Sequence, residues 1–98
     1  MVNLTINSSN DDLKSIRVEK YNLTVNDESL KLEFKAASGD IVYWINKDNR
    51  EPNITLIKEY ISDLLKGGEI CIREYSERKY IFVKGEDAVE RQFTGGRI

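Results

Sequence analysis

From Leu30 to Lys35 every second side chain is apolar, with Leu30, Leu32 and Phe34 on one side and Lys31, Glu33 and Lys35 on the other. A period of two residues is the repeat of an extended strand, and one wet face marks an antiparallel sheet packed on a single side. The same period runs through Val2, Leu4 and Ile6. It returns at Ile16 and Val18, then changes face to Tyr21, Leu23 and Val25. A phase shift of one residue at Glu19-Lys20 predicts a bulge or a break between two shorter strands. Ile41 to Asn46 carries apolar groups on both faces, which places that strand centrally or covers it twice.

One segment abandons this period. Ile54, Ile57, Ile61, Leu64 and Leu65 recur at helical spacing, and Lys58, Glu59, Ser62 and Asp63 supply the wet face. Asn53 is placed to cap the first turn, and Gly67 is the expected left-handed stop. Beyond it, Glu69 to Tyr75 and Arg78 to Lys84 read as a hairpin turning near Ser76-Glu77, and Gly85-Glu86-Asp87 as the start of a short helix through Phe93. The expected class is α+β in the order ββββ-α-ββ, one long helix across an antiparallel sheet. Residues 1–94 are expected to form a single domain and residues 95–98 a flexible tail.

The chain has 98 residues, no histidine, one cysteine and a net charge of −2. A core of this size leaves little room for a deep substrate cavity, so surface recognition is favoured. Without histidine there is no Ser-His-Asp or Cys-His catalysis and no imidazole metal ligand. Cys71, lying in Ile70-Cys71-Ile72, reads as a small strand residue, and a lone cysteine suits a reducing compartment. The longest apolar run, Ile41 to Ile45, is far short of a membrane span. The first residues alternate like a strand and lack a basic region, so a bacterial or archaeal cytoplasm is the expected location, and sequons such as Asn53-Ile54-Thr55 are not expected to be used. The charges are evenly mixed, which argues against direct nucleic-acid binding.

Acidic pairs at Asp11-Asp12, Asp27-Glu28 and Glu86-Asp87 fall in predicted turns, where solvation explains them. Gly67-Gly68 follows a helix where a phosphate loop precedes one. Lys79 to Gly85 has the aromatic spacing of an RNA-recognition strand but lacks its internal glycines, so Tyr80 and Phe82 are expected in the core. Tyr43 and Trp44 must point to opposite faces. The stretch Arg73-Glu74-Tyr75-Ser76-Glu77-Arg78 concentrates charge around a tyrosine, a composition suited to a partner surface.

These readings converge on a small non-enzymatic inhibitor that binds and blocks a larger protein, and no cofactor is expected. By size and composition it is similar in kind to anti-defence inhibitors carried by phages and mobile elements, such as anti-CRISPR proteins, and to immunity proteins that neutralise nucleases. The expected contact residues are Asp48, Glu51, Glu74, Tyr75, Glu77, Arg78 and Trp44. The alternative is an oligomer that sequesters or cleaves a small nucleotide at a subunit interface, with Arg73, Arg78 and Lys79 as phosphate ligands. A virion or assembly subunit is a third class, disfavoured by the clean amphipathy of Leu30 to Lys35.

Overall fold

Strands β1 (Val2–Asn7), β2 (Leu13–Val18), β3 (Lys20–Asn26), β4 (Ser29–Ala36) and β5 (Gly39–Asn46) precede helix α1 (Ile54–Lys66), and β6 (Glu69–Glu74), β7 (Tyr80–Lys84) and β8 (Glu90–Arg97) follow it. The structure, a computed structural model, describes residues 1–8, 13–47, 50–75, 80–87 and 89–98. The strands form a sheet of order β2-β1-β6-β7-β8-β5-β4-β3. Its two edge strands are consecutive in the chain, divided by Glu19 alone, so the sheet must curl until its edges meet there. The Glu19 N–H donates to the Lys35 carbonyl at 2.9 Å, while Lys20 is the ladder partner of Lys35. Two residues of one strand thus face one of the next, which is the β-bulge that the phase change predicts.

Curling gives the sheet a concave face, and the alternating apolar residues fill it. Val2, Leu4 and Ile6 of β1, Leu30, Leu32 and Phe34 of β4, Tyr43 and Ile45 of β5 and Ile70 and Ile72 of β6 are all buried there. Helix α1 lies against β3, β4 and β6 and contributes Ile54, Ile57, Ile61 and Leu65 to the same core. Each such side chain gains about 1.5–3 kcal/mol by leaving water. Phe34 and Tyr43 meet edge to face at 6.5 Å, which sets Tyr43 inward and turns Trp44 outward.

The α+β class and the long helix stand, but the sheet is mixed. β1 and β6 run parallel, pairing Leu4 with Ile70 and Ile6 with Ile72. The helix end produces this arrangement: the Asn3 N–H donates to the Gly68 carbonyl at 2.8 Å and so feeds β6 alongside β1. The left-handed residue is Gly68, with φ +88°, and not Gly67, whose φ of −73° is still helical. The expected hairpin forms between β6 and β7, and its turn at Ser76-Glu77 lies outside the described residues.

The end of the chain corrects the reading most. The described residues of 85–93 do not make a helix, and Gly95 to Arg97 are no flexible tail: Glu90 to Arg97 form β8, which pairs with β7 and, over Thr94 to Arg97, with β5. The glycines permit it. A Cβ on Gly95 would overlap the Trp44 carbonyl oxygen and lie 3.2 Å from Ile45 Cα, so only glycine lets β8 approach β5 this closely.

Candidate functional site

On the convex side of β6, β7 and β8 the ladder sets Arg73 opposite Phe82 and Phe82 opposite Gln92. The alternation within β7 decides this. Ile81 and Val83 take the core positions, so Tyr80 and Phe82 face outward, contrary to the expectation from sequence. One alternating set of β7 is Tyr80, Phe82 and Lys84 and the other Ile81 and Val83, and the compact β-branched pair fits the space against Ile72 and Phe93. Phe82 is half-buried and Tyr80 exposed.

Arg73 rests on these rings. Its guanidinium carbon lies 4.4 Å from the Phe82 centroid and 5.5 Å from that of Tyr75, and the two rings meet edge to face at 5.1 Å. Its Nη2 donates to Glu90 Oε1 at 2.9 Å. Beside Phe82 lies a hollow of about 440 Å³ lined by Arg50, Glu51, Phe82, Glu90, Arg91 and Gln92. Arg50 Nη2 closes part of its rim by donating to the Gln92 carbonyl at 3.2 Å. On the same convex face Tyr80 pairs with Thr94 and Thr94 with Asn46, while Trp44 stands between Gly96 and Lys31. Trp44 is half-buried.

The acidic residues proposed as contacts are placed differently. Glu74 points to the concave side, where Arg97 Nη2 reaches its Oε1 at 3.1 Å and its side chain is 13% exposed. The buried Tyr43 hydroxyl stands beside this carboxylate, an acceptor for its O–H, in a contact looser than a well-formed hydrogen bond. Burial first, and then the Glu74 carboxylate, push its pKa well above the ordinary tyrosine value, with Arg97 opposing. Glu51 is paired with Arg91, whose guanidinium carbon stands 4.6 Å from the Tyr60 centroid and 5.2 Å from that of Phe93. That cluster fastens the helix to β8. The Tyr60 hydroxyl lies 3.4 Å from the Val83 carbonyl oxygen, and burial, then Asp87, raise its pKa.

Arg73, Tyr75 and Trp44 therefore share one face, Glu51 and Glu74 are turned into ion pairs, and Asp48, Glu77, Arg78 and Lys79 lie outside the described residues. Sequence reasoning missed Phe82 and Tyr80 as surface residues. The available signal was that an arginine at position 73 needs an outer neighbour across the hairpin. Among the described residues no helix is long and apolar enough to cross a membrane. No family model matches the chain, and comparisons with curated proteins and with solved structures return no match.

Proposed function

We propose that the chain is a small binding protein that blocks a larger protein, engaging it with the convex face around Arg73, Tyr75, Tyr80 and Phe82. The observation that carries this reading is the arginine stacked against two aromatic rings on the solvent side of a sheet. Rings and guanidinium groups are the side chains that dominate interface energies: the rings bury large areas while losing few rotamers, and the planar guanidinium stacks on them and donates several hydrogen bonds. The Arg73–Glu90 pair holds the guanidinium in place before a partner arrives, which lowers the ordering cost of binding. An inhibitor of a defence effector or a nuclease is the partner relationship this reading proposes. The same pairing ranks the nucleotide reading second, since Glu90 already occupies the charge that a phosphate would need.

The test uses the chain as bait. A protein retained in stoichiometric amount is purified and titrated against wild type, against Tyr75→Ser/Tyr80→Ser and against Lys35→Ala, which lies at the far end of the sheet. The expected outcome is at least about tenfold weaker binding by the double variant, roughly 1.4 kcal/mol, with Lys35→Ala unchanged. Equal affinity for all three would remove this face from the contact. A melting shift with a nucleotide and no retained protein would favour the sequestering reading.

A further inference from the structure

Strand β3 ends the sheet, and its outer edge has no strand partner among the described residues. Its pairing with β4 closes through the two-residue turn Asp27-Glu28, with Asp27 at φ +54° and Asn26 opposite Ser29. Across such a turn the flanking residues exchange hydrogen bonds, so Asn26, Thr24, Asn22 and Lys20 bond to β4. The alternation then directs the N–H and C=O groups of Tyr21, Leu23 and Val25 to the free edge. These residues also carry the apolar side chains of the strand, and Tyr21 and Val25 remain 40% and 38% exposed.

Natural edge strands carry charges, prolines or bulges that prevent pairing with another chain. In β3 those devices are confined to its start, at the Glu19 bulge and Lys20. The rest, Tyr21 to Asn26, has neither charge nor proline.

We propose that β3 pairs antiparallel with β3 of a second copy about a two-fold axis through Leu23. The strand is its own complement in that register. Tyr21 falls opposite Val25 of the other copy, an aromatic and β-branched pair, and Leu23 opposite Leu23. Asn22 falls opposite Thr24, and Lys20 opposite Asn26, so no like charges face each other within the strand. All three residues with outward backbone groups, Tyr21, Leu23 and Val25, then meet residues of the same kind, and each pair exchanges two hydrogen bonds. Moving the axis by one residue in either direction leaves only two such pairs. A two-fold axis makes the interface isologous and closed, so the assembly stops at a dimer. Glu19 and Asp27 fall past the paired ends, in the bulge and the turn. This surface is distinct from the convex face of β6 to β8, and its test is independent of that reading.

The experiment is the molar mass of the full chain by light scattering over a range of concentrations, with two designed variants. Val25→Pro removes an outward N–H while sparing the bonds to β4, and its expected effect is a fall from dimer to monomer mass with the melt retained. For the register, Asn22→Cys and Thr24→Cys are made separately in a Cys71→Ser background and mixed under oxidising conditions. Opposed residues of this non-hydrogen-bonded pair lie about 4.5 Å apart at Cα, within disulfide reach. The mixture is expected to form the mixed disulfide in preference to either homodimer, a result that does not depend on how Val25→Pro folds. A monomer at every concentration would overturn the proposal, and so would a dimer whose cysteine variants show no preference for the mixed product.

Discussion

Tyr43 is the residue with most at stake. Its ring has no exposed surface, and its hydroxyl is buried beside the Glu74 carboxylate. Hydrogen bonding to that carboxylate contributes to the raised pKa, so Tyr43→Phe is expected to change stability by no more than about 1 kcal/mol, read from the denaturant midpoint. The pH dependence gives a second readout. The folded-state pKa lies above the ordinary value of 10.0 because ionisation inside the core, beside Glu74, is unfavourable. Below that ordinary value the hydroxyl is protonated in both states and its full contribution is present. Above it the unfolded chain releases the proton while the folded chain retains it, so stability falls as pH rises. Wild type should therefore lose melting temperature above about pH 10 more steeply than Tyr43→Phe. Tyr60, also raised by burial, leaves a residual slope in the variant. Equal slopes in the two proteins would mean that Tyr43 ionises as freely in the folded state as in the unfolded one.

Among the elements, α1 is where local signals agree. Asn53 accepts from the Leu56 N–H at 3.3 Å, the apolar stripe faces the core, and Gly67 donates back to the Asp63 and Leu64 carbonyls. Asn53→Ala should cost about 1 kcal/mol through the lost cap. Ile61→Ala should cost about 2–5 kcal/mol, since a fully buried side chain leaves a cavity; a loss below the cap's would mean the site is not packed as described. This agreement made the helix legible from sequence, as a shared two-residue period did for β1, β4 and β5. β8 was illegible for the opposite reason. Glu90-Arg91-Gln92-Phe93-Thr94-Gly95-Gly96-Arg97 has the composition of a loop, and what makes it a strand is the fit of its backbone against β5, a relation with no local trace. The candidate site divides in the same way. Arg73 and Tyr75 stood out from the composition around them, whereas the inward turn of Glu51 and Glu74 depends on Arg91 and Arg97, distant in sequence. The parallel contact of β1 with β6 is likewise long-range, and no spacing within either strand announces it.

At the scale of the molecule, the position of β8 matters more than its composition. In the order β2-β1-β6-β7-β8-β5-β4-β3 its ladders join the strands on its two sides, which among the described residues are otherwise connected through α1 and through the bulge where β2 passes into β3. Its ladder to β5 consists of Thr94 with Asn46, Gly95 with Ile45, Gly96 with Trp44 and Arg97 with Tyr43, and Ile98 extends it by donating to the Val42 carbonyl at 2.8 Å. A chain ending at Phe93 loses that entire ladder together with the Arg97 charge beside Glu74. Two consequences follow physically. The carboxylate is left half-buried without its cation, and the ladder hydrogen bonds between β5 and β8 are lost, each worth a net of about 0.5–1.5 kcal/mol. Those losses together approach the few kcal/mol of net stability expected for a domain this small. Truncation after Phe93 is therefore expected to abolish the cooperative melt, measured by circular dichroism. A tail with no structural part would leave the melting temperature within a degree or two of wild type, since removing exposed residues changes little. Gly95→Ala refines the result. It keeps the length and the charge of the full chain but sets a methyl against the Trp44 carbonyl, so a comparable loss in that variant would locate the effect in the β5–β8 approach itself.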